Sequence, residues 1–221
     1  NYKGESKMVI LYTLYENSYI DIKELDDLKG ITCYVNCTNR CFIACTFCLR
    51  NTKQMIKDNT LWLEYEPSVE MIIDEFEKYD LNDFKEVVFC GFGEPLIRHD
   101  DVMEVARYLK SKRSDLPIRI NTNGLASVAL NRDITPDFEN LIDTLSISLN
   151  APNKEEYYQI TRSKYGIDSF DHMLDFASKS KKHVKNVVLT VVDIIGKEKI
   201  AKCQKIADDL NVVLRVRPFE E

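Results

Sequence analysis

Apolar runs alternate with amphipathic stretches from Ile31 onward, which is typical of repeated β–α units around a parallel sheet. The apolar runs predict six strands, at 31–36, 86–90, 118–122, 144–149, 187–192 and 212–216. Between strands, apolar residues recur at helical spacing, for example at Val102, Val105, Ala106 and Leu109. A complete eight-unit barrel needs about 250 residues, whereas this chain has 221. The pattern therefore predicts an α/β fold, an open barrel of six units.

Two further short runs precede these units, at 8–15 and 18–22, and only Glu16 and Asn17 separate them. A two-residue connection between such runs predicts a β-hairpin. We expect residues 1–30 to form a hairpin or edge extension and residues 31–221 to form one core domain. A hydrophobic content of 44% is sufficient for a core of that size.

Composition narrows the class of protein. Thirty basic and thirty-six acidic residues give a net charge of −6, which argues against non-specific nucleic-acid binding because such binders present a positive field. The chain lacks an apolar stretch of about 18 residues and a signal-peptide pattern. We expect a cytoplasmic protein with no membrane partner. Seven cysteines, three of them in one loop, favour metal binding in a reducing, anaerobic interior over a disulfide framework.

The cysteine loop contains the most informative chemistry. Cys41, Cys45 and Cys48 have the spacing Cys-x3-Cys-x2-Cys, and Phe47 directly precedes the last thiol. Three thiolates can hold three irons of a [4Fe-4S] cluster and leave the fourth iron for a ligand from outside the protein. The spacing therefore predicts these three cysteines as metal ligands.

Cys37 adds a fourth thiol to this stretch. Four thiols could close a structural zinc site or occupy the fourth iron. Zinc sites, however, usually combine two closely spaced pairs of cysteines that are separated by about 12 to 20 residues. Strand alternation also places Cys37 on the same face as Cys33, where both are predicted to be small buried hydrophobic residues. A thioredoxin-like role for Cys45 and Cys48 leaves Cys41 unexplained.

Other polar motifs follow the predicted strands. Because the carboxyl ends of parallel strands share one face of a barrel, we expect these residues on one rim. They are Gly91, Phe92, Gly93, Glu94 and Pro95 after the second strand, Asn123 after the third, Ser148 and Asn150 at the fourth, and Arg215 and Arg217 at the sixth. Isolated Cys90 and Cys203 are predicted as core residues. His99 could move protons, although a surface histidine is the favoured interpretation.

The segment 36–50, with Thr38, Asn39, Arg40 and the three cysteines, resembles the first loop of the radical S-adenosylmethionine (radical SAM) superfamily. Gly91–Pro95 resembles the superfamily's GGEP motif, with Phe92 in place of a glycine. The resemblance implies a partial (β/α)6 TIM-like barrel and two cofactors, a [4Fe-4S] cluster and SAM, which chelates the open iron. It further implies that Gly91, Gly93 and Glu94 hold the amino group of SAM, and that Asn123, Ser148 and Asn150 contact its carboxylate and ribose.

Within the superfamily, the segments 61–64, 133–136, 146–152 and 215–218 resemble the TatD nuclease-associated radical SAM family, and this match spans roughly residues 8 to 219. Cys37 stands where that family usually has an aliphatic residue. The resemblance implies a functional link to a TatD-type nuclease and leaves the substrate unknown.

The activity implied by the resemblance is reductive cleavage of SAM to a 5′-deoxyadenosyl radical, with electrons from a flavodoxin- or ferredoxin-like donor. Arg215 and Arg217 could bind a carboxylate or phosphate of the substrate, or pair with Glu94 or Asp193. Two alternatives stay open. One is an activase that installs a glycyl radical on a partner enzyme, and the other is a non-enzymatic zinc-binding interaction module that uses all four thiols.

Overall fold

The computed structural model describes residues 8–52 and 61–219. Its eight strands are β1 Leu11–Tyr15, β2 Ser18–Asp21, β3 Ile31–Val35, β4 Phe84–Phe89, β5 Ile118–Thr122, β6 Thr144–Ser148, β7 Asn186–Val192 and β8 Val213–Arg217. They form one sheet in the order β2-β1-β3-β4-β5-β6-β7-β8. Strands β3 to β8 are parallel and follow chain order, which confirms the predicted open α/β barrel of six units.

Strand β5 has the predicted bounds, and those of the other five parallel strands differ from the predicted ones by one or two residues, which is the usual uncertainty at element ends. Strand β4, for instance, begins at Phe84 rather than at the predicted Glu86 and ends at Phe89. Phe84 is buried, so the burial of its ring extends the strand toward its amino end. Cys90 consequently lies just beyond the strand.

Strands β1 and β2 form an antiparallel hairpin, and β1 extends the sheet antiparallel to β3. Glu16 and Asn17 connect them with φ angles of +46° and +63°, the conformation of the turns that suit two-residue hairpins. Met8, Ile10 and Leu11 pack into the same hydrophobic core as the barrel. The division into an extension of residues 1–30 and a core domain of residues 31–221 stays a prediction.

The helices lie between the strands and cover the outer face of the sheet. They are α1 Leu49–Thr52, α2 Val69–Phe76, α3 His99–Lys112, α4 Ala126–Ala129, α5 Lys154–Thr161, α6 Ser169–Ser180 and α7 Lys197–Asp209. Two have amino-terminal caps: the Ser68 hydroxyl accepts from the Met71 amide and the Asn153 side chain accepts from the Glu156 amide. No helix in the described ranges is long and apolar enough to span a membrane.

Alternation along the strands separates an outer hydrophobic core from a barrel interior that contains charged groups as well as apolar ones. Val87 and Phe89 of β4 are fully buried in the core beneath the helices. The intervening residues point the other way. In that interior Arg119 donates two hydrogen bonds to Glu86, of 3.1 and 3.0 Å. The barrel therefore presents polar groups to its interior and opens at the carboxyl ends of its strands.

Candidate cofactor site

A cavity of about 210 Å³ lies at the carboxyl ends of the parallel strands. The ten residues predicted from the sequence to bind cofactors all line it, and they are Cys41, Cys45, Phe47, Cys48, Gly91, Gly93, Glu94, Asn123, Ser148 and Asn150. They lie at or just after the carboxyl ends of four different strands. Their convergence follows from the parallel topology, which brings these loops to one rim.

Hydrogen bonds on both sides hold the cysteine loop in place. On one side, Arg40 forms a bidentate pair with Glu66, with N–O distances of 2.6 and 2.8 Å, and Asn39 exchanges two hydrogen bonds with the backbone of Leu63. On the other side, the amide of Ala44 donates to a carbonyl of α5 over 2.7 Å. Asn39 and Arg40 thus position the loop, and neither lines the cavity.

The three loop thiols are partly exposed to the cavity. Burial raises the pKa of Cys41 to about 11 and that of Cys45 to about 12. Without a metal these two thiols are therefore protonated at neutral pH, and metal binding has to release their protons. Two side chains donate to the sulfurs: Arg50 Nε lies 3.3 Å from Cys48 Sγ, and Asn123 Nδ2 lies 3.7 Å from Cys41 Sγ. Such donors stabilise the thiolate form.

The glycine-rich loop after β4 packs directly against the start of the cysteine loop. A Cβ atom on Gly93 would lie 2.4 Å from the carbonyl oxygen of Thr38 and 2.5 Å from that of Arg40. The adjacent amide of Glu94 donates to the same Arg40 carbonyl over 2.7 Å. Only glycine permits this approach of two backbones, so Gly93 couples the position of Glu94 to that of Cys41.

Glu94 is buried, with 3% of its surface exposed. Its Oε1 accepts from the Leu96 amide over 3.1 Å and from the Thr122 hydroxyl over 2.8 Å, and its Oε2 accepts from the Asn123 amide over 2.7 Å. A carboxylate has about four acceptor positions, so one position remains, on Oε2. Burial raises the pKa of Glu94 to about 7, although the three donors favour the charged form. The carboxyl is thus held ready to accept one more donor, such as an ammonium group.

This raised pKa predicts that Glu94 makes the cofactor-free protein less stable as the pH rises. Below its ordinary pKa of 4.5, Glu94 is protonated in both the folded and the unfolded protein. Above that value the unfolded protein loses the proton first, so the stabilising contribution of the proton is lost as the pH rises through the folded pKa of about 7. Between these values we expect a loss of about 3 kcal/mol. Urea unfolding of wild type and Glu94→Gln between pH 5 and pH 8 measures it, because only the wild type has this loss. Parallel curves for the two proteins would contradict the assignment.

Two side chains on the wall opposite the cysteines have unsatisfied polar atoms. Asn150 is 2% exposed, has a φ angle of +57°, and its buried Oδ1 has no hydrogen-bond partner in the described part of the chain. Asn121, in the same segment as Asn123, also lines the cavity with an unpartnered Oδ1. Buried polar atoms of this kind are costly unless a ligand or water satisfies them. Together with three thiols, this wall fits a cluster and a polar cofactor such as SAM.

Cys37 lies away from the cavity. It is 4% exposed and packs in the main hydrophobic core with Cys33 and Val35, as the alternation predicted. Across residues 8–52 and 61–219, no group of three or more His, Cys, Asp or Glu side chains is arranged to hold a metal ion. A cluster differs from a single ion because each thiolate binds its own iron. The position of Cys37 therefore disfavours a zinc site built from four thiols.

Two predictions about isolated residues are wrong. Cys90 lines the cavity and is partly exposed, whereas a core position was predicted, because the strand ends before it and its side chain faces the barrel interior. His99 is 3% exposed and its Nε2 lies 2.8 Å from Asp137 Oδ2, whereas a surface position was predicted. Its partner is distant in sequence, so no local pattern could reveal it. Cys203 is fully buried, as predicted.

The two arginines of β8 occupy different positions. Arg217 lines the cavity, and Arg215 does not. Both are exposed, and in the described residues neither forms an ion pair with Glu94 or Asp193. Asp193 instead accepts from the amide of Phe219 over 2.9 Å. Of the two, Arg217 is therefore the one placed to contact a bound molecule.

The fold and the residues at this rim are typical of α/β barrel proteins in which a cysteine loop can hold an iron–sulfur cluster. The sequence model of the Radical SAM superfamily matches residues 35–210 of the chain. The chain belongs to the radical SAM superfamily, whose members use a [4Fe-4S] cluster and SAM.

Individual relatives agree with this assignment. The probable dual-specificity RNA methyltransferase RlmN of Listeria welshimeri is 29% identical over 160 residues, which are 69% of this chain and 41% of that protein. The chain thus spans less than half the length of this curated relative. Among solved structures, methylornithine synthase (PylB) has a TM-score of 0.62 at 17% identity, and the match covers 86% of this chain and 53% of the synthase. Streptococcus suis SuiB bound to SAM has a TM-score of 0.58 at 16% identity, and the match covers 88% of this chain and 40% of SuiB. These structures establish the likeness of fold.

Proposed function

We propose that this protein is a radical SAM enzyme that reductively cleaves SAM at a [4Fe-4S] cluster held by Cys41, Cys45 and Cys48. The single observation that supports this most is the cavity itself, in which three thiols from one loop face the glycine-rich loop and unpartnered polar atoms. When bound, the cluster supplies the electron that converts SAM to methionine and a 5′-deoxyadenosyl radical. The protein contributes placement and exclusion of water.

We assign the placement of SAM to the walls of the cavity. Glu94 has one acceptor position left on Oε2 for the amino group of SAM, and Gly91 and Gly93 allow the backbone to approach it closely. Asn123, Ser148 and Asn150 supply short polar side chains for the carboxylate and the ribose hydroxyls. The unpartnered Oδ1 of Asn150 supports this role, because a ribose hydroxyl can donate to it.

We assign the exclusion of water to the aromatic side chains that line or border the cavity. Phe92 replaces a glycine of the general motif, lines the cavity and is 6% exposed. The ring of Trp62 contacts it edge-to-face with centroids 5.1 Å apart. Phe47 lines the cavity on the side of the cysteine loop. A dry cavity strengthens the polar contacts to a bound cofactor.

The finer features of this function are proposals that follow from the sequence resemblance. We place the chain in the TatD nuclease-associated family, functionally linked to a TatD-type nuclease, in the cytoplasm of an anaerobic cell, with a flavodoxin- or ferredoxin-like protein as electron donor. The substrate class that we favour is a nucleic acid or nucleotide. The curated relative's name as an RNA methyltransferase supports this class, as does Arg217 in the cavity wall, which can bind phosphate.

Anaerobic purification followed by iron, sulfide and zinc analysis tests this function. The protein is then reduced with dithionite in the presence of SAM, and 5′-deoxyadenosine is quantified. We expect brown protein with about four irons per chain that forms deoxyadenosine. Colourless, zinc-loaded protein that never cleaves SAM would contradict this function and would support the alternative of a zinc-binding interaction module.

A further inference from the structure

The cavity contains a fourth thiol, and it belongs to Cys90. Cys90 follows β4 directly and lines the cavity together with the three loop cysteines. Val87 and Phe89 face the outer core, so alternation directs Cys90 to the barrel interior. Cys37, which is closer to the loop cysteines in sequence, faces the opposite way into the core.

Hydrogen bonds fix the backbone of Cys90 beside the origin of the cysteine loop. Its amide donates to the carbonyl of Val35, the last residue of β3, over 3.1 Å. The Tyr12 hydroxyl donates to its carbonyl over 3.0 Å. The next residue, Gly91, packs so closely that a Cβ atom there would lie 2.3 Å from Asn36 Oδ1. Cys90 therefore has a fixed position at the base of the loop that is assigned to the cluster.

The same cavity contains independent evidence that it takes a ligand opposite the cysteines. The Oδ1 of Asn150, on a side chain that is 2% exposed, lacks a hydrogen-bond partner in the described part of the chain. In the proposed function SAM satisfies that wall and also occupies the fourth iron. In the absence of SAM the fourth iron is open to solvent or to a side chain of the protein, and a thiolate is the usual protein ligand for a cluster iron.

We propose that the Cys90 thiolate binds the fourth iron in the SAM-free protein and that SAM displaces it. This inference rests on the proposed function. In the exchange the iron–sulfur bond to Cys90 breaks, and bonds from the iron to the amino nitrogen and carboxylate oxygen of SAM form. The ammonium group of SAM loses one proton as its nitrogen binds the iron, the released thiolate takes up one proton through the solvent, and no electron is transferred. Cys90 thereby shields the reactive iron from oxygen until SAM is bound.

The test compares three full-length proteins reconstituted anaerobically: wild type, Cys90→Ser and Cys37→Ala. Mössbauer and reduced-state EPR spectra are recorded with and without SAM, and the affinity for SAM is measured on the same samples. Without SAM, we expect wild type and Cys37→Ala to share one spectrum and Cys90→Ser to differ. With SAM, all three should coincide. If Cys90 occupies the iron in about nine tenths of the molecules, SAM binds about tenfold more tightly to Cys90→Ser.

Identical SAM-free spectra for wild type and Cys90→Ser overturn the proposal. A Cys90→Ser protein that loses its cluster even with SAM present also overturns it, because Cys90 would then be a permanent ligand. A wild-type protein that binds no cluster, or whose spectrum does not respond to SAM, contradicts the proposed function itself. The two failures are therefore distinguishable.

Discussion

The Cys45→Ala protein should lose its cluster and with it all cleavage of SAM. Cys45 is the middle of the three thiols that line the cavity, and its replacement leaves one iron without a protein ligand. With SAM bound, Cys90 is displaced in our proposal, so only two thiolates remain, fewer than the three that hold a cluster beside an open iron. We expect iron to fall from about four per chain to a small residual fraction, and deoxyadenosine to fall below detection under dithionite. Iron and sulfide analysis, visible absorption and product quantification measure these effects.

Cys37→Ala is the matched control because it removes a thiol from the same stretch of sequence. Its sulfur lies in the hydrophobic core, so we expect a loss of about 1 kcal/mol of stability and an unchanged iron content. The opposite pattern, with iron lost from Cys37→Ala and kept by Cys45→Ala, would contradict the assignment of ligands. Retained SAM cleavage by a folded Cys45→Ala protein would exclude a cluster at this loop.

The convergence of the residues predicted to bind cofactors could be foreseen from the sequence, because parallel topology converts strand order into spatial order. Once the apolar runs indicate six parallel units, every residue that directly follows a strand lies on one rim. The cysteine loop, the glycine-rich loop and Asn123 follow a strand, Ser148 is the last residue of one, and all line one cavity. Local pattern and spacing contain enough information for this part of the site.

The distinction between Cys37 and Cys90 shows where the pattern is insufficient. Strands of a parallel sheet read as continuous apolar runs, and Val87, Val88 and Phe89 are all fully buried. Alternation therefore does not reveal from sequence alone which side of β4 faces the cavity. Glu94 is similar, since its raised pKa depends on burial by loops far apart in the chain. Such properties arise from tertiary contacts.

Gly93→Ala should strongly weaken SAM binding. The added methyl group would lie within 2.5 Å of the carbonyl oxygens of Thr38 and Arg40, and both are backbone atoms with little freedom to move. To relieve the overlap, the two loops must separate, which stretches the 2.7 Å hydrogen bond from the Glu94 amide to Arg40. Overpacking of this kind costs about 1 to 3 kcal/mol. Glu94 and Cys41 then move apart, although SAM must contact both Glu94 and the cluster in the proposed function.

Gly30→Ala separates this local effect from the general cost of replacing a glycine. Gly30 precedes β3 at the opposite end of the barrel, has a φ angle of +75°, and a Cβ atom there would contact nothing within 4 Å. The strain of that conformation costs about 1 kcal/mol, so both variants lose stability. We expect at least a tenfold weaker affinity for SAM, about 1.4 kcal/mol, only in Gly93→Ala. Calorimetric titration of SAM into the cluster-loaded proteins, beside their melting temperatures, measures both quantities. Equal SAM affinities for the two variants would mean that the glycine-rich loop does not position the cofactor, because the overlap at Gly93 would then have been relieved without moving Glu94 relative to Cys41.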